Sequence, residues 1–445
     1  MESSMITGTP WKKVLSFSIP VFIGLLLQQL YNTVDTIVVG NFASEEALAA
    51  VGTTASMITL FLAAAVGFST GAGVITAQYF GAGEKERMKE TSAVAVTFLL
   101  VMGIVVTVLG LLSGRAILSG FLDVPEDFLD IAVRYFNIYC LGLVFQFGYN
   151  VVAALLRSVG DSKASMYFLL IAAVVNIVLD LVFVAGLHWG ASGAAAATGI
   201  SQAFSCIASF AYMNRKYPVF RFGIHDFKWN GKDIRMILRM GFPIVLQQML
   251  VGVGIMAIQR AVNSYGQSMT ASFTVGSRIE MYVQMPLNSF NMALGTFVGQ
   301  NIGAGKNERI AVGVRQTLVL SLVITAVIST AVYLFQSQII HLFALSPDAT
   351  VYCRQHLTII AAAFLLQSVY LPLCGVFQGA GDGFAVTRTA IFALCVRVLT
   401  TYTLGNLPFM GYKIVWWNIL FGFLAGCIIA WTHYLRGTWK NKAVV

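Results

Sequence analysis

The strongest constraint on the fold is an internal repeat that divides the chain into two similar halves. The segment 81–87 (GAGEKER) returns as 303–309 (GAGKNER), and Gln78 is matched by Gln300. Further pairs at nearly the same spacing are Pro20 with Pro243, Pro125 with Pro347, Tyr149 with Tyr370, and Asp161 with Asp382. The offset stays between 221 and 223 residues, so the halves share one architecture with almost no insertions. Two homologous membrane halves are the usual framework for alternating access, which makes a transporter the first hypothesis.

The composition indicates that lipid surrounds most of the chain. Of the residues, 58% are hydrophobic and only 11% are charged, whereas soluble domains carry about 25% charged residues. A membrane-spanning helix needs about 20 apolar residues. Twelve stretches fit this length, and they predict an all-α polytopic membrane protein with six helices in each half. The predicted spans are 14–40, 47–79, 91–113, 132–157, 164–186, 190–213, 237–262, 268–300, 310–335, 353–379, 384–405 and 412–436.

The net charge of +9 reflects basic residues that are concentrated in alternate connections and at the two ends. The basic connections and ends include 12–13, 85–89, 215–239, 306–315 and 436–442, whereas 41–46 and 187–189 contain no Lys or Arg. This placement predicts cytoplasmic termini and argues against a nucleic-acid partner. Because each half has an even number of spans, both copies run in the same direction, and the repeat is parallel.

The repeat also predicts the domain organisation. We expect an N-lobe over residues 1–213, a cytoplasmic linker over 214–236 and a C-lobe over 237–445, with the two lobes around a central cavity. The linker is basic and broken by Pro218 and Gly223; we favour a solvated connection over a site for anionic lipid headgroups. The apolar run after Lys13 is long enough to span a bilayer and lacks a small-residue cleavage site, so it predicts an uncleaved first span.

Acidic residues inside the apolar spans are the candidates for chemistry, because an ionisable side chain within a bilayer is costly. Asp35 lies in the first span and Asp180 in the fifth, with Asn176 one turn earlier on the same helical face. Asn150 in the fourth span and Thr198 in the sixth add an amide and a hydroxyl. Together these groups could surround a proton or a Na⁺ ion. The alternative is that they are polar contacts between helices, but for the two aspartates we favour function because of their cost.

Other kinds of site are not predicted. The sequence has no Cys-x-x-Cys pair, and its five scattered histidines lack the spacing of metal ligands. The segment 299–306 (GQNIGAGK) resembles a phosphate-binding loop, but Gln300 stands where the first Gly of that motif is required. Asn307 also replaces the Ser or Thr that should follow Lys306. We therefore expect neither an enzyme nor an ATP-driven pump, and no cofactor or bound metal beyond a coupling H⁺ or Na⁺.

At these residues the sequence resembles the multidrug and toxic compound extrusion (MATE) family, most closely its prokaryotic DinF-like branch. The resemblance rests on the two Gly-Ala-Gly segments, on Val34-Asp35-Thr36 after Pro20, and on 176–180 (NIVLD), and it covers essentially the whole chain. It implies twelve helices in two lobes and efflux driven by H⁺ or Na⁺. It also implies an N-lobe cation site formed by Asp35, Asn176, Asp180 and Thr198, with Asn150 nearby. The family's bend in the first helix maps onto Pro20, where a proline inside a helix removes a backbone hydrogen bond.

The C-lobe departs from part of the family. NorM-like members carry acidic residues in the seventh and tenth spans, where this chain has Val251 and Gln367. A C-lobe cation site of that type is therefore not expected.

The eighth span carries a polar stripe instead. Glu280, Gln284, Asn288 and Asn291 follow one another at helical spacing and share one face. This stripe, together with Gln367, could line the central cavity and attract a cationic substrate. Alternatively, Glu280 pairs with Arg278, Arg260 or another helix and only stabilises the C-lobe.

The expected function is secondary active efflux, in which amphipathic organic cations are exchanged for H⁺ or Na⁺ by alternating access. The alternative is a flippase for a lipid-linked oligosaccharide or another amphipathic lipid precursor. An anionic headgroup would favour basic residues in the cavity; the N-lobe acids disfavour it, whereas Arg260, Arg278 and Arg397 keep it open. Expected partners are small amphipathic molecules and membrane lipids. Two complete lobes make a monomer sufficient, and the expected location is the plasma membrane of a prokaryote.

Overall fold

The computed structural model describes residues 4–343, 345–405, 407–408 and 410–444, and this part of the chain is helical, with no β-strand. Thirteen α-helices lie within it. Those of the first half are α1 (Pro10–Phe42), α2 (Glu45–Ala82), α3 (Lys85–Ala116), α4 (Glu126–Ser158), α5 (Ser162–Asp180) and α6 (Gly190–Lys216). Those of the second half are α7 (Gly231–Asn263), α8 (Gln267–Gly303), α9 (Asn307–Leu334), the short α10 (Gln336–His341), α11 (Pro347–Gly379), α12 (Gly383–Leu404) and α13 (Ile414–Arg436).

The helices confirm the prediction of an all-α polytopic membrane protein. Over the described residues, 11 helices are long and apolar enough to cross a membrane. The remaining long helix is α8, which has 37 residues and contains the predicted span 268–300. Its length suffices, but the polar stripe that begins at Glu280 makes it less apolar than its neighbours. Each half therefore contributes six long helices, as the repeat predicts.

One helix in each half forms the centre of the packing. In the first half α4 packs against α2, α3 and α6, and in the second half its repeat counterpart α11 packs against α8, α9 and α13. Phe136 and Phe147 of α4 are fully buried. Phe364 and Phe377 of α11 are at most 1% exposed. Because lipid tails are as apolar as these side chains, close packing rather than water exclusion holds such helices together.

The packing divides the chain into two compact units, and the divisions fall inside α1 and α7. The first unit contains Ile23–Val245, whereas the second contains Met5–Phe22 and the chain from Leu246 onward. The start of α1 thus belongs with the second half of the sequence, and the start of α7 belongs with the first. Pro20 and Pro243 are interior residues of these two helices and lie close to the divisions. A proline leaves a gap in the backbone hydrogen bonds, so each helix has a weak point there.

In the second unit, the repeated loop after α8 binds the N-terminal segment. The backbone N–H of Met5 donates to Oε1 of Gln300 at 2.8 Å, and its carbonyl accepts from Nδ2 of Asn301 at 3.3 Å and Nη2 of Arg309 at 3.2 Å. Nη2 of Arg309 also donates to the carbonyl of Thr7 at 3.0 Å. Met5 is only 2% exposed. Gln300 and Arg309 are members of the repeated motif, so the motif has a structural task at this point.

In the first unit, the corresponding loop binds the start of α7. Arg87, the repeat partner of Arg309, donates from Nη2 to Oδ1 of Asp233 at 3.0 Å. Oδ2 of Asp233 accepts a hydrogen bond from Nδ2 of Asn230 at 3.0 Å, and the Asp233 side chain is fully buried. The two copies of the motif therefore perform the same task, since each binds the segment that leads into a long helix.

Small residues then allow α2 and α7 to approach closely within the first unit. A Cβ atom added to Gly71 would lie 2.8 Å from the backbone nitrogen of Gly241, and one added to Gly241 would lie 2.7 Å from Cα of Phe68. Contacts this short are possible only without side chains, which is how small residues serve helix packing in membranes.

Two aspartates at equivalent positions of the repeat begin α5 and α12. Oδ1 of Asp161 and Oδ1 of Asp382 each accept a hydrogen bond from the backbone N–H three residues later, at 3.1 and 3.2 Å. Each is thus an N-cap. The second oxygen of each carboxylate contacts the last helix of its half, at 3.1 Å from the Tyr212 hydroxyl and 3.0 Å from Nε2 of His433. The halves therefore share side-chain contacts as well as helix order.

Candidate cation-coupling site

The two intramembrane aspartates of the first half are brought together in the first unit. Asp35 lies on α1, seven residues before its end, and Asp180 is the last residue of α5. Asp180 is fully buried, and Asp35 is half-buried. The two carboxyl groups lie close enough for the charge of Asp35 to act on Asp180. When both are ionised they have only acceptor oxygens, so neither can donate to the other.

The oxygens of this pair lack other protein partners. Oδ1 of Asp35 and both carboxylate oxygens of Asp180 are buried without a hydrogen bond from any described residue. Oδ1 of Asn176, one turn before Asp180, is also buried and has no hydrogen-bond partner among the described residues. Buried polar atoms normally find a partner, because leaving one unpaired costs about 1–3 kcal/mol. Four such oxygens, on α1 and α5, are therefore a candidate binding site for a cation or a proton.

Asn176 is oriented by Thr198 of α6. Nδ2 of Asn176 lies 3.5 Å from Oγ1 of Thr198, and Asn176 is only 1% exposed. Because the amide nitrogen is directed to Thr198, the amide oxygen is free to face the carboxylates. Four of the residues predicted for the site thus come from three helices: Asp35 from α1, Asn176 and Asp180 from α5, and Thr198 from α6.

The backbone changes its helical form beside Asp180. The α-helix α5 ends there, and Leu181–Gly186 continues as a π-helix. In this segment the N–H of Leu187 donates to the carbonyl of Val182 at 2.8 Å. Short π-helical segments within α-helices are frequent at functional sites because they reorient side chains.

Asn150 is placed differently from the other predicted site residues. Its amide nitrogen donates to the backbone carbonyl of Gln146, one turn earlier on α4, at 2.8 Å. Asn150 is half-buried. This bond engages its amide with its own helix rather than with the carboxylates.

Three tyrosines near the acidic pair escaped the sequence analysis. Tyr31 and Tyr135 are buried and Tyr139 is half-buried, and the charge of Asp35 acts on all three. The hydroxyl of Tyr139 also lies 3.4 Å from Oε1 of Gln146. The only signal in the sequence is spacing, since Tyr31 precedes Asp35 by one helical turn. Tyrosines in apolar spans are otherwise indistinguishable from packing residues.

Pro20 lies inside α1, which runs without interruption from Pro10 to Phe42. It is near the point where α1 passes from the second unit to the first. A bend in α1 at Pro20 would therefore change the position of the later part of the helix, which carries Asp35.

The polar residues predicted for the C-lobe occupy three different environments. Oε1 of Glu280 accepts a hydrogen bond from Nε2 of Gln284 at 2.9 Å, one turn later on α8. Asn288 is exposed, whereas Gln367 is 4% exposed and its Oε1 is unpaired among the described residues. The basic residue whose charge acts on Glu280 is Arg397 of α12.

Asn291, the last member of the α8 stripe, connects two helices. Its Nδ2 donates to the backbone carbonyl of Leu371 on α11 at 2.8 Å. Close approach of the same helices is visible at Gly375, where an added Cβ would lie 2.3 Å from the carbonyl oxygen of Asn291. Asn291 therefore has a packing role.

The chain is similar to known proteins over almost its whole length. Over 443 residues the chain is 28% identical to the probable multidrug resistance protein YoeA of Bacillus subtilis (strain 168), covering 98% of this chain and 95% of that protein. It is 25% identical over 410 residues to the multidrug export protein MepA of Staphylococcus haemolyticus (strain JCSC1435), covering 92% and 90%. A solved outward-facing multidrug resistance MATE family transporter of the MOP superfamily superposes with a TM-score of 0.91 at 25% identity, covering 99% and 98%.

The fold and these likenesses define a membrane transporter built from two homologous halves. A family model described as MatE matches residues 20–182 and 243–403, one block in each half. The chain belongs to the MatE family.

Proposed function

We propose that this protein is a secondary active efflux transporter that exchanges amphipathic organic cations for H⁺ or Na⁺. The observation that carries the proposal is the buried pair Asp35 and Asp180, with three oxygens unpaired among the described residues. Carboxylates within a bilayer are costly, and they are retained where they bind an ion or relay a proton. The similarity to a multidrug resistance protein and a multidrug export protein supports drug-like compounds as substrates.

In the proposed cycle, substrate binds from the cytoplasm while the acidic pair is ionised. After the switch to the outward-facing state, a proton or Na⁺ binds at Asp35 and Asp180 and neutralises part of their charge. This neutralisation favours a different bend of α1 at Pro20, and the substrate is released outside. Return of the loaded ion to the cytoplasm completes the exchange.

Both coupling ions fit the oxygens that are present. A proton would bridge the two carboxyl groups. A Na⁺ ion would be held by Oδ1 of Asp35, the two oxygens of Asp180 and Oδ1 of Asn176, since hard cations prefer such ligands. The available energy is adequate: moving one charge through about 100 mV yields about 2.3 kcal/mol, and one pH unit yields about 1.4 kcal/mol.

Efflux of small molecules is favoured over the transfer of a lipid-linked precursor. The unpaired groups at the candidate site are acidic, whereas a pyrophosphate headgroup would need basic ones. The names of the relatives also refer to multidrug resistance and export. We further propose that the protein acts without an organic cofactor or enzymatic step and as a monomer. We place it in the plasma membrane among lipid partners, with cytoplasmic termini next to the basic connections.

The test is efflux of the cationic dye rhodamine 123 from proteoliposomes that contain the pure protein. A pH gradient and a Na⁺ gradient would be imposed separately, and the active one would name the coupling ion. Asp35→Asn should abolish gradient-driven movement. Asp130→Asn is the matched control, because Asp130 is 82% exposed and pairs with Arg115 at 2.9 Å on the surface. Undiminished transport by Asp35→Asn would refute the proposed coupling.

A further inference from the structure

The repeat places a basic residue in the second half at a position where the first half has an amide. The offset of 221 residues that relates Asp161 to Asp382 also relates Asn176 to Arg397. Asn176 stands beside the acidic pair of the first unit and contacts α6 through Thr198. Arg397 is on α12, the counterpart of α5, and contacts α13, the counterpart of α6. At this position of the repeat the first half therefore carries a neutral amide and the second half a cation.

The Arg397 side chain is held by only one of its nitrogens. Nε donates to Oδ1 of Asn418 at 3.0 Å. Asn418 is fully buried, and its Nδ2 donates to the backbone carbonyls of Ile414 at 3.1 Å and Val415 at 2.7 Å. The amide oxygen is thereby fixed in the direction of Arg397. The hydrogen bonds of the described residues leave both terminal nitrogens of Arg397 unpaired, and the side chain is half-buried.

The α13 helix leaves space for this arginine. A Cβ atom added to Gly422 would lie 2.2 Å from Cγ and 2.8 Å from Cδ of Arg397. Any larger residue at this position would displace the aliphatic part of the side chain. Glycine and Asn418, one turn apart on α13, therefore fix the arginine together.

The neighbours of Arg397 do not neutralise it by direct contact. Its charge acts on Glu280, His356 and Tyr370, but among the described residues no ion pair within 4.0 Å joins it to Glu280. His356 is fully buried, and neither ring nitrogen has a hydrogen-bond partner among the described residues. An arginine within a bilayer is costly and usually has a purpose. Here Glu280, the acid that could pair with Arg397, is hydrogen-bonded to Gln284 instead.

We propose that Arg397 is the residue that binds the carboxylate of transported amphiphiles that carry an acidic group beside their cationic part. This inference rests on the proposed function and names a residue that determines its specificity. With Nε occupied by Asn418, the two terminal nitrogens form a fork that matches the two oxygens of a carboxylate. Glu280, on which the charge of Arg397 acts, would attract the cationic part of the same molecule.

The opposing interpretation is that Arg397 only balances the charge of Glu280 and stabilises the second unit. In that case every substrate would respond alike to its removal. A pair of dyes separates the two interpretations, because rhodamine 110 has a free carboxylate and rhodamine 123 is its methyl ester. The dyes share the same cationic ring system and differ at this group.

The experiment measures binding of both dyes to the detergent-purified protein by fluorescence polarisation, and in parallel their efflux from proteoliposomes. Arg397→Gln should weaken rhodamine 110 binding by about tenfold or more, the loss expected for a charge-assisted hydrogen-bonded pair. Rhodamine 123 binding should stay within about twofold, since its ester cannot form that pair. Arg388→Gln is the matched control, because Arg388 is an exposed residue of the same helix. Should Arg397→Gln fold poorly, Arg397→Lys keeps the charge without the fork and should show a smaller loss for rhodamine 110 alone.

The two readouts separate the inference from the proposed function. Equal effects of Arg397→Gln on both dyes, or no effect on either, would overturn the carboxylate site. Selective loss of rhodamine 110 binding would support the site even if no gradient moved either dye. In that last case the proposed antiport would be the part that failed.

Discussion

Arg87 and Asp233 are 146 residues apart in the sequence and are joined by a hydrogen bond of 3.0 Å, with Asp233 fully buried and Arg87 42% exposed. The contact binds the start of α7 to the start of α3. Its counterpart in the second unit uses the same repeated arginine, Arg309, but the acceptors are the backbone carbonyls of Met5 and Thr7. The repeated motif thus conserves the donor while the acceptor differs.

Arg87→Gln should destabilise the protein by about 1–3 kcal/mol, because a buried carboxylate would lose its charged partner. Thermal unfolding in detergent measures the effect. The control is Arg115→Gln, since Arg115 and its partner Asp130 are 65% and 82% exposed and such surface pairs contribute about 0–1 kcal/mol. When Arg87→Gln is combined with Asp233→Asn, the stability loss should be smaller than the sum of the two single losses. Equal shifts for Arg87→Gln and Arg115→Gln would contradict the role of the contact.

Gly276→Ala should also be destabilising, by about 1–3 kcal/mol from overpacking. A Cβ atom there would lie 1.9 Å from Nδ1 of His356. The imidazole has little freedom to move, because it stacks on Trp416 with ring centroids 4.2 Å apart. Adding His356→Ala should recover part of the loss in thermal unfolding. Gly252→Ala, with no atom within 4 Å of the added Cβ, is the control; a matching loss there would show that the clash is not the cause.

Stability should depend on pH through Asp161, which lies between α4 and α5. Burial alone would raise the pKa of Asp161, but hydrogen bonds from Tyr217 at 2.7 Å and Lys216 at 2.9 Å outweigh it, and the pKa is lowered. A lowered folded-state pKa gives stability that is fully present above the unfolded value of about 3.9 and is lost as pH falls through the folded value.

The measurement is the difference in melting temperature between the unmodified protein and Asp161→Asn as a function of pH. Asparagine retains the helix cap, so the substitution mainly removes the charge. The difference should be constant from about pH 8 to pH 5 and should shrink below about pH 4. A difference that is as large at pH 3 as at pH 7 would exclude this ionic contribution.

Two asparagines near the coupling site should respond differently to substitution. Asn176→Leu removes a buried, unpaired amide oxygen one turn from Asp180, and gradient-driven dye efflux should fall by about tenfold or more, the effect of about 1.4 kcal/mol. Asn150→Leu should reduce it less, because the Asn150 amide is bound to the backbone of its own helix. The assay is initial dye efflux at matched protein density. A larger loss of dye efflux for Asn150→Leu than for Asn176→Leu would contradict the assignment of Asn176 to the coupling site.

Much of the architecture could be predicted because two independent signals agree. Apolar length locates all twelve long helices, and the repeat supports their number: α8 carries the polar stripe that begins at Glu280, but its position also follows from that of α2. The division of α1 and α7 between the units could not be predicted in this way. It depends on contacts such as that of Met5 with Gln300, 295 residues away, and no local pattern encodes such a pairing.

The candidate site was predictable where helical spacing was enough. Asn176 and Asp180 share a face by their separation alone, and the cost of intramembrane charge singles out Asp35. Neither argument could find the tyrosines around the acidic pair, since an aromatic residue in an apolar helix is usually a packing residue. The Arg397–Asn418 contact was also missed, because it joins two helices whose relative rotation the sequence does not reveal.

The division of α1 and α7 between the units has a consequence for how such a chain could arise. Each half of the sequence donates the beginning of its first long helix to the unit built by the other half. This is the connectivity of a segment-swapped dimer, in which two copies exchange an identical element, here fused by the residues between α6 and α7. A half-length ancestor would have completed its fold only by pairing. The two halves of the present chain, produced as separate polypeptides, should for the same reason be stable together and not apart.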